Sequence, residues 1–235
     1  MLRTDLKNGN TELKACVIKE IDFTMSFLGT TQRLIFTYDN RRNPVTATPD
    51  EINTGSPKWH FYYDKKGRLI TFAGLYNNGG FEFWNNYHYD EWDRVVSDTD
   101  YYIGNVGQLP GHAPTYWHTY TYDNLNRIIE GTSANSQMPF FPPQVFDLTY
   151  DAAGNLNILS PSYDNKLSPL LTNKIWRFLN VNYSVNNSRP ALAYNQYGLP
   201  TQFEGGPGDF VNFNLPPADE TTIKYDCQGD LPPEK

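Results

Sequence analysis

Ahead of each recurring Tyr-Asp or Tyr-Asn pair the chain alternates between apolar and polar residues, and the tyrosine belongs to the apolar set. Leu34, Phe36 and Tyr38 share a parity, as do Trp59, Phe61 and Tyr63, then Tyr87 and Tyr89, Tyr120 and Tyr122, and Phe146, Leu148 and Tyr150. Side chains two apart in a strand lie on one face, so the tyrosine face is expected to be the core face. The opposite parity carries Thr37, His60, Asn86, His88, Thr119, Thr121, Asp147 and Thr149. That is the pattern of an antiparallel sheet solvated on one side.

Behind each pair stands the chemistry of a tight turn. The copies are "YDNRRNPVTA" from 38, "YDKKGRLITF" from 63, "YDEWDRVVSD" from 89, "YDNLNRIIEG" from 122 and "YDAAGNLNIL" from 150, with looser ones, "YNQYGLPTQF" from 194 and "YDCQG" from 225. The third residue after the pair is Gly67, Asp93, Asn126, Gly154, Gly198 or Gly229, types that tolerate a left-handed backbone. An aspartate at the start of such a turn can bond the backbone two residues on, and a type I turn closed by a left-handed residue joins two hairpin strands. In the copy at 38, Arg42 holds the left-handed slot and Asn43 follows, which predicts a turn longer by one residue.

The seven tyrosines recur 25 to 44 residues apart, room for two strands and two connections. The expected fold is therefore all-β: a single domain over 1–235, an antiparallel hairpin meander of roughly twelve to fourteen strands. Twist accumulates over so many strands, so one strongly curved sheet or partial barrel is expected. The pattern breaks in the widest gap, in "YDNKLSPLLTNKIWRFLN". There Ser168 can cap, Pro169 suits a first helical position, and Leu171, Ile175, Phe178 and Leu179 share a helical face, which predicts one short helix near 168–180. Another hairpin is the alternative, because "YDNRRNP" opens in the same way.

Composition acts mainly by exclusion. With 17 Tyr and 14 Phe among 235 residues the apolar content sits in rings that favour strands. A net charge of −7 argues against nucleic acid as a partner. No segment is apolar over the roughly 18 residues a spanning helix needs. Charges at Arg33, Lys58, Glu82 and Lys224 within the strands argue against an outer-membrane barrel. "MLRTDLKNGN" has no secretory apolar core, so either the protein is cytosolic or a leader precedes residue 1. Cys16 and Cys227 are either two unpaired thiols or, in an exported protein, a bridge between the first and last strands.

The "YDxxGRL" units, from 32 to 229, resemble the YD repeats of the RHS and teneurin type, in which hairpins wind into an extended sheet. More closely, "YDNRRNP", "YDNKLSP" and "ACVIKEIDF" resemble a family of exported proteins and lipoproteins of Bacteroidetes-type bacteria. The resemblance implies an all-β fold and a place in the periplasm or on the bacterial cell surface. It carries over no catalytic residues. The irregular copy lengths differ from long RHS arrays and suggest a closed domain.

Phosphate loops, nucleophile elbows and H-E-x-x-H motifs are absent from the sequence. His60 and His88 point outward by parity while His118 lies on the tyrosine side, so no metal site is expected from the histidines, and no cofactor. Asp98 with Asp100 is the most conspicuous acidic pair, without a cleft to give it a role. The connections at the end away from the Tyr-Asp turns are long and carry Tyr101, Phe140, Phe141, Phe210 and Phe213. Their phenylalanines are expected to fold down over the core; otherwise they are free to bind. Trp84 and Trp117, each five residues before its tyrosine, are expected on the outward face, level with each other and one strand apart, about 10 Å. Either a second layer covers them or they stack on sugar rings.

The function these features suggest is a non-enzymatic binding or structural module of the cell envelope. Its expected ligand is carbohydrate, held by Trp84, Trp117, Tyr101, Phe140 or Phe141, or its partner is another envelope protein. A membrane-spanning segment is not expected, and a lipid anchor would need a preceding leader. The alternative is a glycan-active hydrolase with a carboxylate pair at the long-loop end.

Overall fold

The computed structural model describes residues 5–25, 29–111, 114–157, 163–206 and 218–228. His112, Phe210, Phe213 and the turn expected at Gly229 lie outside them. Thirteen strands form one antiparallel sheet: β1 (Cys16–Met25), β2 (Thr30–Tyr38), β3 (Pro44–Pro49), β4 (Lys58–Tyr63), β5 (Leu69–Leu75), β6 (Gly80–Tyr89), β7 (Val95–Asn105), β8 (Tyr116–Tyr122), β9 (Ile128–Asn135), β10 (Gln144–Asp147), β11 (Ala193–Tyr194), β12 (Pro200–Glu204) and β13 (Glu220–Cys227). The order is β10-β9-β8-β7-β6-β5-β4-β3-β2-β1-β13-β12-β11, an open sheet in which consecutive strands neighbour one another except β10 and β11, which end the order on either side, while β13 adds beside β1. The chain divides into two compact units, 36–148 and the remainder.

The turns share one construction. Asp64 N–H bonds the Arg68 carbonyl at 3.0 Å and Gly67 N–H bonds Asp64 at 2.9 Å, and the same two bonds recur from Asp90, Asp123, Asp151 and Asn195. One carboxylate oxygen of Asp64 accepts the N–H groups of Lys66 and Arg68, and its other oxygen takes Arg68 Nε at 2.7 Å. Asp90 with Arg94 and Asp123 with Arg127 repeat this. The turn at 38 does not carry an extra residue. Asp39 N–H reaches Asn43 and Arg42 N–H reaches Asp39 as in the other copies, with Arg42 at φ 65°. The Arg41 and Asn43 N–H groups accepted by Asp39 offset the left-handed cost of about 1–2 kcal/mol that a side chain incurs there.

Four of the seven repeat tyrosines then lock their hairpin to the previous one, while the Tyr194 hydroxyl donates to Asp164. The hydroxyls of Tyr63, Tyr89, Tyr122 and Tyr225 donate to the carbonyls of Pro44, Leu69, Val95 and Pro200, each the fifth residue after the preceding Asp or Asn. The guanidinium of Arg68 lies 4.7 Å from the Tyr89 ring centre and that of Arg94 lies 5.1 Å from Tyr122. In unit 36–148 the tyrosine face is the buried one, with Phe36, Trp59, Phe61, Phe72 and Tyr87 in the interior. Phe61 and Phe72 are cross-strand partners with ring centres 4.9 Å apart.

The other unit is built differently. The expected helix is present in two pieces, a 3-10 turn Pro169–Thr172 and α1 (Lys174–Leu179). Ser168 caps the first; Asn173, extended at φ −155°, ends it and caps the second by accepting Ile175 N–H. An asparagine side chain that bonds nearby N–H groups competes with the helix, which is why one run becomes two. The copy at 163 keeps only part of the turn: Asp164 accepts the Lys166 N–H and the Tyr163 hydroxyl reaches the Leu156 carbonyl, but Asp164 N–H bonds the Asn187 carbonyl and Leu167 N–H that of Gly198 instead of closing the two-bond turn. Buried Asn155 accepts the N–H groups of Val185 and Asn186, and Ser184 accepts that of Leu156, so side chains replace a ladder here. Arg177, fully buried, donates to the carbonyls of Leu6, Asn8, Thr11 and Tyr183. Cys16 and Cys227, cross-strand partners on β1 and β13, are joined by a disulfide that closes 211 residues of sequence.

Candidate functional site

Two places in unit 36–148 gather side chains with chemistry. The first is the outward face of β4 to β8. His60, Ala73, Trp84 and Tyr101 are successive partners across four strands, and Tyr62, Thr71, Asn86, Thr99 and Trp117 form the next row across five. His60 stacks on Tyr62 at 6.0 Å and 11°, and Tyr62 on Trp84 at 6.0 Å and 24°. Asn86 Oδ1 accepts both the Trp84 indole N–H at 3.0 Å and the Thr71 hydroxyl at 2.9 Å, which fixes the indole. Tyr62 and Trp117 keep 40% and 42% of their surface, while Trp84 and Tyr101 are half-buried. Burial, together with Lys58, lowers the His60 pKa, so this imidazole is neutral at physiological pH.

Trp84 and Trp117 are on the outward face, but they are not level. Trp84 faces Tyr101 across the β6–β7 pair, whereas Trp117 faces Thr99, so the two rings are offset by two residues along the strands, roughly 7 Å. The cause is a stagger of the repeats. Trp59, four before Tyr63, faces Gly74 and through it Phe83, six before Tyr89. Equal distance from the tyrosine therefore does not mean equal height. Tyr101 fills the position beside Trp84. Phe140 and Phe141 stand in the turn between β9 and β10, 98% and 73% exposed, so they do not fold over the core. A backbone bond from Phe141 N–H to the Met138 carbonyl closes a local turn there.

The second place is a polar pit in the tyrosine face. Asp98 and His118 are direct partners on β7 and β8, and Asp100 follows two residues along β7. His118 Nδ1 is 2.7 Å from Asp98 Oδ1 and 3.5 Å from Asp100 Oδ2, and the Tyr120 hydroxyl donates to Asp98 Oδ2 at 2.6 Å. Burial first, then the charge of Asp98, pushes Asp100 up to about 7, partly offset by His118. Burial alone would lower His118, but the two carboxylates outweigh it and its pKa is raised. Tyr120 and Tyr87 are driven upward by burial and by the same carboxylates. Asp98, Asp100 and His118 are the group of described residues able to hold a metal ion, with one ligand atom from each within 4.8 Å of the others.

The histidine parity read from the sequence places His118 on this face and His60 and His88 away from it. What that reading missed is that a single histidine suffices when two carboxylates come from the neighbouring strand. Its signal was Asp98 and Asp100 spaced by two, a strand parity, on a strand followed by one with His118 on the tyrosine face.

No family model matches the chain, and no curated protein matches it. Among solved structures it is similar to chains in crystal structures of TcdB2-TccC3-Cdc42, at TM-score 0.33 and 17% identity, and of TcdB2-TccC3-TEV, at 0.32 and 16%. Each match covers 79% of this chain and spans a tenth of the length of the other. The likeness is distant and bears on no function.

Proposed function

We propose that the chain is a non-enzymatic binding module of the bacterial cell envelope whose outward β4–β8 face takes carbohydrate. The observation that carries this reading is the ring set of Tyr62, Trp84, Tyr101 and Trp117, in which Tyr62 and Trp117 remain substantially exposed on a solvated face. Rings held by strand pairing and by the Trp84–Asn86–Thr71 bonds lose little freedom on binding, which favours stacking against the apolar face of a sugar. Asn86, Thr99 and neutral His60 supply hydrogen bonds beside them. The Cys16–Cys227 disulfide supports an oxidising, exported location.

A glycan array followed by calorimetry tests this with wild type and a Trp84→Ala, Trp117→Ala double variant. The expected result is binding by wild type that falls at least about tenfold, the loss of roughly 1.4 kcal/mol of stacking. Equal behaviour of the two proteins removes the aromatic face as the site. The hydrolase alternative is less well supported. The carboxylates brought together, Asp98 and Asp100, lie within a strand and are 3% and 4% exposed, whereas that alternative needs an accessible pair at the long-loop end.

A further inference from the structure

We propose that Asp98, Asp100 and His118 bind a single divalent transition-metal ion of the zinc type on the tyrosine face of β7 and β8. This is independent of the outward aromatic face. The backbone ladder sets the three groups: Asp98 and His118 are paired across the two strands, and Asp100 follows on the same face of β7. Their ligand atoms already lie within 4.8 Å of one another, so small side-chain rotations bring them to about 2.0–2.2 Å from a shared ion.

Charge and unmet bonding both ask for a cation. Two carboxylates 3% and 4% exposed stand against one imidazole, and buried charges of this kind are ordinarily paired or coordinate a metal. Asp100 Oδ1 is buried with no hydrogen-bond partner among the described residues, and so is Oδ1 of Asn85, its direct partner on β6. A positive ion beside Asp100 satisfies its unbonded oxygen. The hydroxyl of Tyr120 holds the far oxygen of Asp98, the kind of outer contact that orients a ligating carboxylate. One nitrogen with carboxylate oxygens suits zinc or manganese better than calcium or magnesium, which prefer oxygen alone. A proton shared between the carboxylates is the competing arrangement.

Chelator-stripped protein is titrated with Zn2+, and with Co2+ for its visible spectrum, at neutral pH, while 1H–15N spectra follow the four histidine rings. Expected is one equivalent of metal, with the His118 ring alone shifting. Asp100→Asn, which keeps the shape, should weaken Zn2+ by at least about 100-fold, the upper range for loss of an outer contact. His88→Gln, on the opposite face, should leave it unchanged. Wild type that takes up neither ion, a His118 ring that does not respond, or Asp100→Asn binding as tightly as wild type would overturn the proposal and leave the shared proton. Should Asp100→Asn not fold, the wild-type ring spectra decide alone.

Discussion

The arginine-bearing turns at 63, 89 and 122 share their two-bond geometry with the copies at 150 and 194, the copy at 163 keeps only the contact of Asp164 to the N–H two residues on, and the two sets are joined to their neighbours in different ways. In the first set the fourth residue after the aspartate is Arg68, Arg94 or Arg127, which grips the aspartate; Arg68 and Arg94 also lie on the next tyrosine ring, and full strands pair on either side. In the second set that position is Asn155, Ser168 or Leu199. Strand pairing there dwindles to bridges such as Tyr150–Leu156 and Leu167–Asn186. Side-chain amides take over: Asn155 serves Val185 and Asn186, Asn186 reaches the Lys166 carbonyl, and Asp164 receives Asn187 and Tyr194. The turn thus closes with or without its arginine, and at 163 the buried polar network takes over its backbone bonds as well.

The sharpest way to break the second arrangement is Arg177→Leu. Four carbonyls, two of them buried, lose their donor, and we expect a loss of about 4 kcal/mol, read as a fall in the urea midpoint. Arg177→Lys should recover little, because one ammonium cannot match the planar fork.

Smaller is the pH response, which belongs to the arginine-turn unit because Asp98, Asp100 and His118 lie there. Asp100 is raised from the ordinary 3.8 to about 7 and His118 is raised as well. The folded state therefore binds more protons than the unfolded state in this window, and stability falls as pH rises through these folded values. With chelator present, denaturant unfolding should show a gain on the order of 2 kcal/mol from pH 8 to pH 5. Asp100→Asn should flatten the slope. Stability that instead rises with pH over this window would contradict the proton placement.

The finest comparison sets Asp90→Ala against Asn195→Ala. Both remove the acceptor of two turn N–H groups, about 1 kcal/mol. Only Asp90→Ala also strands Arg94, so we expect it to cost a further ~0.5 kcal/mol or so in the same urea series. Equal losses would mean that the arginine adds nothing to the turn.

The turns, the strand parity and the tyrosine core were legible because each rests on a span of a few residues: a left-handed slot, an aspartate two before the N–H it accepts, and a two-residue alternation. Arg42 misled because arginine rarely takes φ 65°, and nothing local says that Asp39 will hold two N–H groups firmly enough to allow it. The helix at 168–180 was readable from Ser168 and Pro169, and its division was written in Asn173, a strong cap in the middle of the run. The heights of Trp84 and Trp117 were not legible, since the stagger is set by tyrosine hydroxyls reaching carbonyls twenty or more residues away. The same holds for the Asp98–His118 pair, because parity gives a face and says nothing of which neighbour stands opposite.

The bond between Cys16 and Cys227 has a mechanical side. A pull applied to the chain outside this pair passes from one sulfur to the other, and the chain between them, a separation of 211 positions, carries no load. Tension that would otherwise unzip β1 from β13 and peel hairpins one after another is diverted through a single covalent crossing. Reduction turns the same molecule into one that extends under force.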